Sequence, residues 1–147
     1  MTDVRLKGFS LTELLIVVSM VAILLTLILP TYQLQLMATR RSLGGAALLK
    51  TMMRQEQYFV DHKRYAEMLT ELAYPTHPYA IDAQGSIVDD VAKNRIYLIE
   101  LTTRVNAYTL FATPQLGQAA DRDCGTLSLD STGQKRATGE GQGRSCW

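Results

Sequence analysis

One carboxylate, Glu13, stands near the start of an otherwise apolar run extending from Phe9 to Leu29. An ionisable group inside a lipid-facing segment is expensive and is retained where it has a function. Such a carboxylate either meets a partner cation or takes up a proton, so the chemistry on offer is an intermolecular ion pair rather than catalysis. A helix macrodipole, worth about 0.3–1 kcal/mol, accounts for an acid at a helix start in water but not in lipid. Two cysteines, Cys124 and Cys146, form the second reactive pair. In an exported chain an even pair reads as a disulfide, here closing a loop of 21 intervening residues. That loop carries Lys135, Arg136 and Arg144 against Asp130 and Glu140, with Arg122 just outside it. Such a cluster offers contact to a DNA backbone, although the commoner reading, a solvated loop edge, takes precedence. His62 and His77 lack metal-ligand spacing, and Asp121, Asp123 and Asp130 do not follow a calcium-loop pattern. No glycine-rich phosphate loop or nucleophile motif is present. The expectation is a non-enzyme without cofactor or metal.

The elements that must position these residues begin with the apolar run. Phe9 to Leu29 is 21 residues, which at a rise of ~1.5 Å per residue is about 31 Å, enough to cross the ~30 Å hydrocarbon core. Only Ser10, Thr12, Glu13, Ser19 and Thr26 interrupt it, and hydroxyls can bond back to their own helix. A secretory signal would place small residues for cleavage after the run; Pro30-Thr31-Tyr32-Gln33 offers none, whereas Gly8 lies before it. Arg5 and Lys7 set the orientation with the leader cytoplasmic. The bulk of the chain then lies across the membrane. Removing residues 1–8 takes Arg5, Lys7 and Asp3 from the 15 basic and 14 acidic side chains, leaving 13 of each. A neutral mature chain is no general polyanion binder, though a local basic patch is compatible with it.

From Tyr32 to about His62, apolar residues at Leu36, Leu43, Ala47, Leu48, Met52, Phe59 and Val60 recur at mainly three-, four- and seven-residue gaps. That spacing predicts a one-faced amphipathic helix continuing the anchor. Pro30 should loosen the turn before it, and Gly44-Gly45 marks a bend or a close approach. The span 63–94 reads as a connector, with Tyr74-Pro75-Thr76-His77-Pro78-Tyr79 unable to continue a helix. A short helix is placed near 65–72. Arg95–Thr103 and Tyr108–Thr113 predict a hairpin, Gly125–Asp130 a third strand and Gln134–Ala137 a fourth. A glycine-rich loop, 139–144, ends the chain. Three or four antiparallel strands with one apolar face need a partner layer, and the amphipathic helix supplies it. The expected class is α+β: a long N-terminal helix, transmembrane then amphipathic, packed on a small antiparallel sheet with a disulfide-closed C-terminal loop.

Residues 5–30 closely resemble the class III signal of type IV pilins and related pseudopilins. The likeness rests on Lys7-Gly8-Phe9, on Glu13 as the fifth residue after Gly8, and on Pro30. It implies that a prepilin peptidase cuts after Gly8 and that the new N-terminal Phe9 is methylated. It also implies that Glu13 pairs with the terminal amine of a neighbouring subunit. Ala22 departs from the helix-breaking glycine that many pilins carry eight residues before the proline. Arg54-Gln55-Glu56-Gln57-Tyr58-Phe59, followed by Arg64-Tyr65-Ala66, resembles a segment of minor pilins that prime pilus assembly. So does Cys124-Gly125-Thr126-Leu127-Ser128-Leu129-Asp130 with the terminal Cys146-Trp147. The map implied is a leader 1–8, a transmembrane and assembly helix 9–30, and a periplasmic or extracellular head 31–147. Within the head lie an amphipathic helix 31–62, a connector 63–94, and a sheet and C-terminal loop 95–147. The implied partners are the major pilin, other minor pilins, the prepilin peptidase and the inner-membrane assembly platform. The chain would wait in the bacterial inner membrane and then join a surface pilus serving twitching and adhesion. The alternatives are a type II secretion pseudopilin and a DNA-binding pilin for natural transformation.

Overall fold

A computed structural model of the chain describes residues 10–141, 146 and 147. The leader with Gly8, the predicted mature terminus Phe9, and Arg144 lie outside the described residues. The chain divides into two compact units, one ending at Leu36 and one spanning Met37–Trp147. A single helix, α1, runs Leu11–His62 and is continuous through Pro30 and Gly44-Gly45.

In the first unit, the described large apolar side chains from Leu11 to Leu29 are 48% to 75% exposed. No described protein surface covers them, as a lipid- or helix-facing segment requires. Ser19 Oγ donates to Ile16 O at 2.8 Å, and Thr26 Oγ1 to Ile23 O at 2.7 Å. Both hydroxyls are thereby satisfied within their own helix.

The second unit is a sheet covered on one face by the later part of α1. Its strands are β1 (Tyr79–Asp82), β2 (Ile87–Val88), β3 (Arg95–Arg104), β4 (Ala107–Pro114), β5 (Leu127–Asp130) and β6 (Lys135–Ala137). They pair antiparallel in the order β2-β1-β3-β4-β5-β6. Side chains alternate along a strand, so Tyr97, Ile99 and Leu101 of β3 point inward with Leu110 and Ala112 of β4 and Leu127 and Leu129 of β5. The register sets Leu101 beside Leu110 and Leu110 beside Leu129. The hairpin turn is Val105-Asn106, with Asn106 supplying the left-handed residue at φ 61°.

The helix meets this face along Gly44, Leu48, Thr51 and Gln55, all buried and spaced by three or four residues. Gly44 is where the layers come closest. A Cβ there would lie 3.1 Å from the Tyr97 ring, so the glycine pair serves close packing in an unbroken helix. Two strands, β1 and β2, fall inside the span 63–94, where the sequence pattern indicates only a connector. All four residues of β1 are buried, so no alternation announces it, and β2 is two residues long. The expected helix near 65–72 shrinks to a 3-10 turn at Leu69–Leu72.

Gly44→Val should therefore lower the unfolding midpoint, through a loss of stability of the roughly 1–3 kcal/mol typical of overpacking a filled contact. Helix propensity alone favours valine over glycine there, so a loss at Gly44 reports the clash, while Ala46→Val, on the exposed face of the same helix, reports the β-branched cost without it. Thermal or urea unfolding of both variants separates the packing effect from helix propensity.

Candidate functional site

Three sets of residues bear on function, and the first is the anchor. Glu13 lies in the first turn of α1, among exposed apolar side chains. Ser10 Oγ and Thr12 Oγ1 share a hydrogen bond of 2.9 Å just before it. The backbone of α1 continues through Pro30. Glu13 and Pro30 thus share one helix with the apolar span, while the cleavage residues Gly8 and Phe9 lie outside the described residues.

The second set is the segment 54–58, which the structure devotes to holding the following loop. Gln55 is fully buried; its Nε2 donates to Ala66 O at 3.0 Å and its Oε1 accepts from Ala66 N at 2.9 Å. Arg54 Nη1 donates to Leu72 O at 2.9 Å and its guanidinium lies 4.3 Å from the Tyr74 ring centroid. Glu56 accepts from the Tyr108 hydroxyl at 2.9 Å. Burial and then Glu56 push the Tyr108 phenol up from its ordinary value. Tyr58 donates to Glu71 Oε1 at 2.8 Å, and Arg64 Nη2 reaches the same oxygen at 2.9 Å. Glu71 Oε2 takes the backbone N–H groups of Glu67 and Met68. Burial alone would raise this carboxyl, but the bonds from Tyr58, Met68, Arg64 and Glu67 outweigh it and bring it to about 2. His62 stacks on Tyr58 with centroids 4.0 Å apart, and His77 Nδ1 accepts from Leu69 N at 3.2 Å. Neither histidine stands in a ligand cluster. Among the described residues, no group of three or more His, Cys, Asp or Glu side chains is arranged to hold a metal ion.

The third set is the C-terminal loop and its basic edge. Cys124 and Cys146 are joined in a disulfide with Cα atoms 5.5 Å apart. Asp121 anchors the start of this loop to α1. It receives a two-pronged ion pair from Arg41, with Nε and Nη2 each at 2.9 Å, and further bonds from Gln118 Nε2 and Cys124 N. The described part of the glycine tail is not loose. A Cβ at Gly139 would sit 2.3 Å from Asp123 O, and Gly139, Glu140 and Gly141 donate backbone bonds to Cys124, Arg122 and Asp123. Close backbone approach, more than flexibility, is what these glycines provide.

Of the bases singled out from the sequence, Arg122, Lys135 and Arg136 are all exposed around this loop and the β6 edge. Arg122 O accepts from Glu140 N at 3.1 Å, and Lys135 Nζ lies 5.2 Å from the Trp147 ring. Trp147 Nε1 donates to Arg136 O at 3.0 Å, and the indole rests against Gly45 of α1. Arg144 falls outside the described residues. Sequence reasoning did not find a second basic group, Arg40, Lys93 and Arg95, around one cleft of about 370 Å³. These residues come from α1, the β2–β3 loop and the start of β3, and no spacing in the chain announces their meeting.

Residues 30–128 match the family described as "Type IV minor pilin ComP, DNA uptake sequence receptor". No curated protein matches the sequence. Among solved structures, a type IV pilin from Shewanella oneidensis aligns at 18% identity, covering 74% of this chain and 97% of that one, with a TM-score of 0.46.

The Glu71 carboxyl titrates lower in the folded head than in the unfolded chain, whose value is near 4.5. Its contribution to stability is therefore complete above that value, declines as pH falls below it, and is gone below about 2. Glu71→Gln should flatten this part of the acid limb. Unfolding midpoints recorded from mildly acidic pH down to the folded-state value of about 2 should fall less steeply in the variant than in the parent protein.

Proposed function

The chain belongs to the family of the type IV minor pilin ComP, the DNA uptake sequence receptor, and from that premise we propose a pilus subunit that presents a basic edge to DNA. As a member of this family it is a structural minor pilin. The span Leu11–Leu29 would anchor it in the inner membrane before assembly and join the helical core of the fibre afterwards. Its leader would be removed after Gly8 and Phe9 would be methylated. Glu13 would then pair with the terminal amine of a neighbouring subunit, because a carboxylate in an apolar setting requires a partner cation.

DNA contact ranks below a solvated loop edge on sequence alone, and the role for which the family is named reverses that order. The observation that supports it is the gathering of Arg122, Lys135 and Arg136, all exposed, along β6 and the disulfide-closed loop. Cations on a rigid edge neutralise phosphates without a further ordering cost for the backbone that carries them. The segment 54–59, whose likeness points to priming minor pilins, is engaged by internal contacts of the head. It therefore does not favour priming over display.

Two experiments test the pilin part of this reading. Intact mass of protein extracted from membranes should correspond to a chain beginning at methylated Phe9. Glu13→Val should be inserted and cleaved yet enter filaments poorly, since removing one partner of a buried pair costs about 3–5 kcal/mol.

For DNA, duplex binding by the protein is measured by gel shift across a salt series. Arg122→Gln, Lys135→Gln and Arg136→Gln combined should weaken binding, with the salt slope falling by about 0.9 for each phosphate no longer neutralised. An unchanged slope would move the DNA surface elsewhere on the head.

A further inference from the structure

The sheet has a second face, turned away from α1. On β4 the buried Tyr108, Leu110 and Ala112 belong to the core, so Thr109 and the partly exposed Phe111 point the other way. The register lines these residues up across the sheet. Glu100, Phe111, Ser128 and Arg136 form one row, and Thr102, Thr109 and Asp130 the next. The strands β3, β4 and β5 are each paired on both sides, so a ligand on this face meets side chains rather than free backbone groups. Between the β3–β4 hairpin and the β5–β6 turn lies a cleft of about 400 Å³, whose lining includes Phe111, Thr102, Thr109, Arg104, Asp130 and Thr132. That size is within the ~300–1,000 Å³ range of small-ligand sites. Arg104 and Asp130 share the cleft, yet no ion pair among the described residues joins them. Asp130 accepts from Thr132 N, Thr132 Oγ1 and Gln134 N, and all three bonds fall on Oδ1. The Thr132 hydroxyl above all holds this carboxyl below its ordinary value, so it remains an ionised acceptor at neutral pH. Among the described residues nothing donates to Oδ2, and the exposed Arg104 guanidinium donates to none of them.

We propose that this cleft binds a neutral sugar, with one face of a pyranose ring against Phe111 and its hydroxyls bonded to Asp130 and Arg104. A carboxylate only accepts hydrogen bonds and a guanidinium only donates them. The ligand that satisfies both from one side must donate and accept at once, and a hydroxyl does so. A phosphate only accepts and would confront the Asp130 carboxylate; an ammonium only donates and would confront Arg104. The hydroxyls of Thr102, Thr109 and Thr132 extend the same dual character around the lining. A pyranose also carries a patch of C–H groups, whose slight positive charge suits the negative face of an aromatic ring. The charges of the two rows balance, Glu100 and Asp130 against Arg104, which continues the second row on β3, and Arg136. Two carboxylates about the phenyl ring disfavour a nucleic-acid strand, whose phosphates run past every stacked base. The proposal is independent of the DNA reading, because none of the bases assigned to DNA lines this cleft.

The test uses the full-length chain in a phosphocholine detergent, which has no sugar headgroup. Amide chemical shifts are followed as lactose, maltose or N,N′-diacetylchitobiose is added. At least one of these should give saturable shifts at residues 102–104, 109–111 and 130–132, in the millimolar range because each hydroxyl bond replaces one to water. Phe111→Ala and Asp130→Asn should each weaken binding about tenfold, whereas Phe111→Tyr keeps the ring and should retain it. Arg104→Gln, at an exposed position without a partner among the described residues, should weaken binding likewise and decides the matter if Phe111→Ala fails to fold. No saturable shift with any of these sugars would overturn the proposal, as would shifts that the variants leave unchanged. Larger shifts of the same amides with single-stranded oligothymidylate than with sugar would also overturn it, by making the face a platform for stacked bases.

Discussion

The head depends on one seam of α1, in which each buried position meets a different demand from the sheet. Gly44 yields room to the Tyr97 ring, and Leu48 enters the apolar layer. Thr51 bonds the hydroxyls of Tyr74 at 2.9 Å and Tyr79 at 3.0 Å. Gln55 closes the Ala66 backbone from both sides. A seam of leucines alone would bury comparable area but tolerate sliding. Here a shift of one helical turn would set the Gln55 amide against apolar side chains and take Thr51 away from the Tyr74 and Tyr79 hydroxyls, leaving buried polar groups without these partners. The mixed seam therefore fixes the register of helix on sheet, and the positions of the loops follow from that register.

The connector and the C-terminal loop are held to α1 by the same logic. Each is tied to it through polar contacts as well as buried side chains: Arg54, Gln55 and Tyr58 for the first, Arg41 with Asp121 for the second. The Arg41–Asp121 pair is 15% and 2% exposed at its two side chains. Its burial is compensated because Asp121 accepts four hydrogen bonds, which replace those that its oxygens would make to water. Together with the disulfide and the backbone bonds of Gly139, Glu140 and Gly141, this holds the described part of the loop against the head beside Lys135 and Arg136.

What the sequence made legible was whatever carried a period. The apolar run, the amphipathic spacing of 43–59, the hairpin 95–113 and the alternation at Leu127 and Leu129 all declare their structure locally. Tyr79–Asp82 declared nothing, because a strand buried at every residue has no period, and Pro75 and Pro78 just before it argued against regular structure. Gln55 and Gln118 were equally silent. Each is a glutamine at 0% exposure, and only tertiary contact distinguishes such a residue from a surface one. The Arg54–Phe59 likeness was visible as a pattern, but its physical content is a clamp on the chain that follows. Its partners, Ala66, Glu71 and Leu72, come 11 to 18 residues after the side chains they bind.

Net charge was the least faithful guide to the surface. A neutral mature chain argues against a polyanion partner only if acids and bases are equally displayed. In the folded head Asp121, Glu71, Glu56 and Asp82 accept internal hydrogen bonds, and none of the four is fully exposed. Arg122, Lys135, Arg136 and Lys93 all stand exposed. Carboxylates are acceptors only and suit the backbone N–H groups of loops, whereas long basic side chains can bury their stems and leave the charge outside. Loops that need acceptors thus draw these acids inward, although Asp123 and Glu140 remain exposed in the loop beside Arg122. Screening limits the reach of exposed charges to about 8–10 Å at moderate salt, so a phosphate responds to the edge or cleft it approaches and not to the balance of the whole protein.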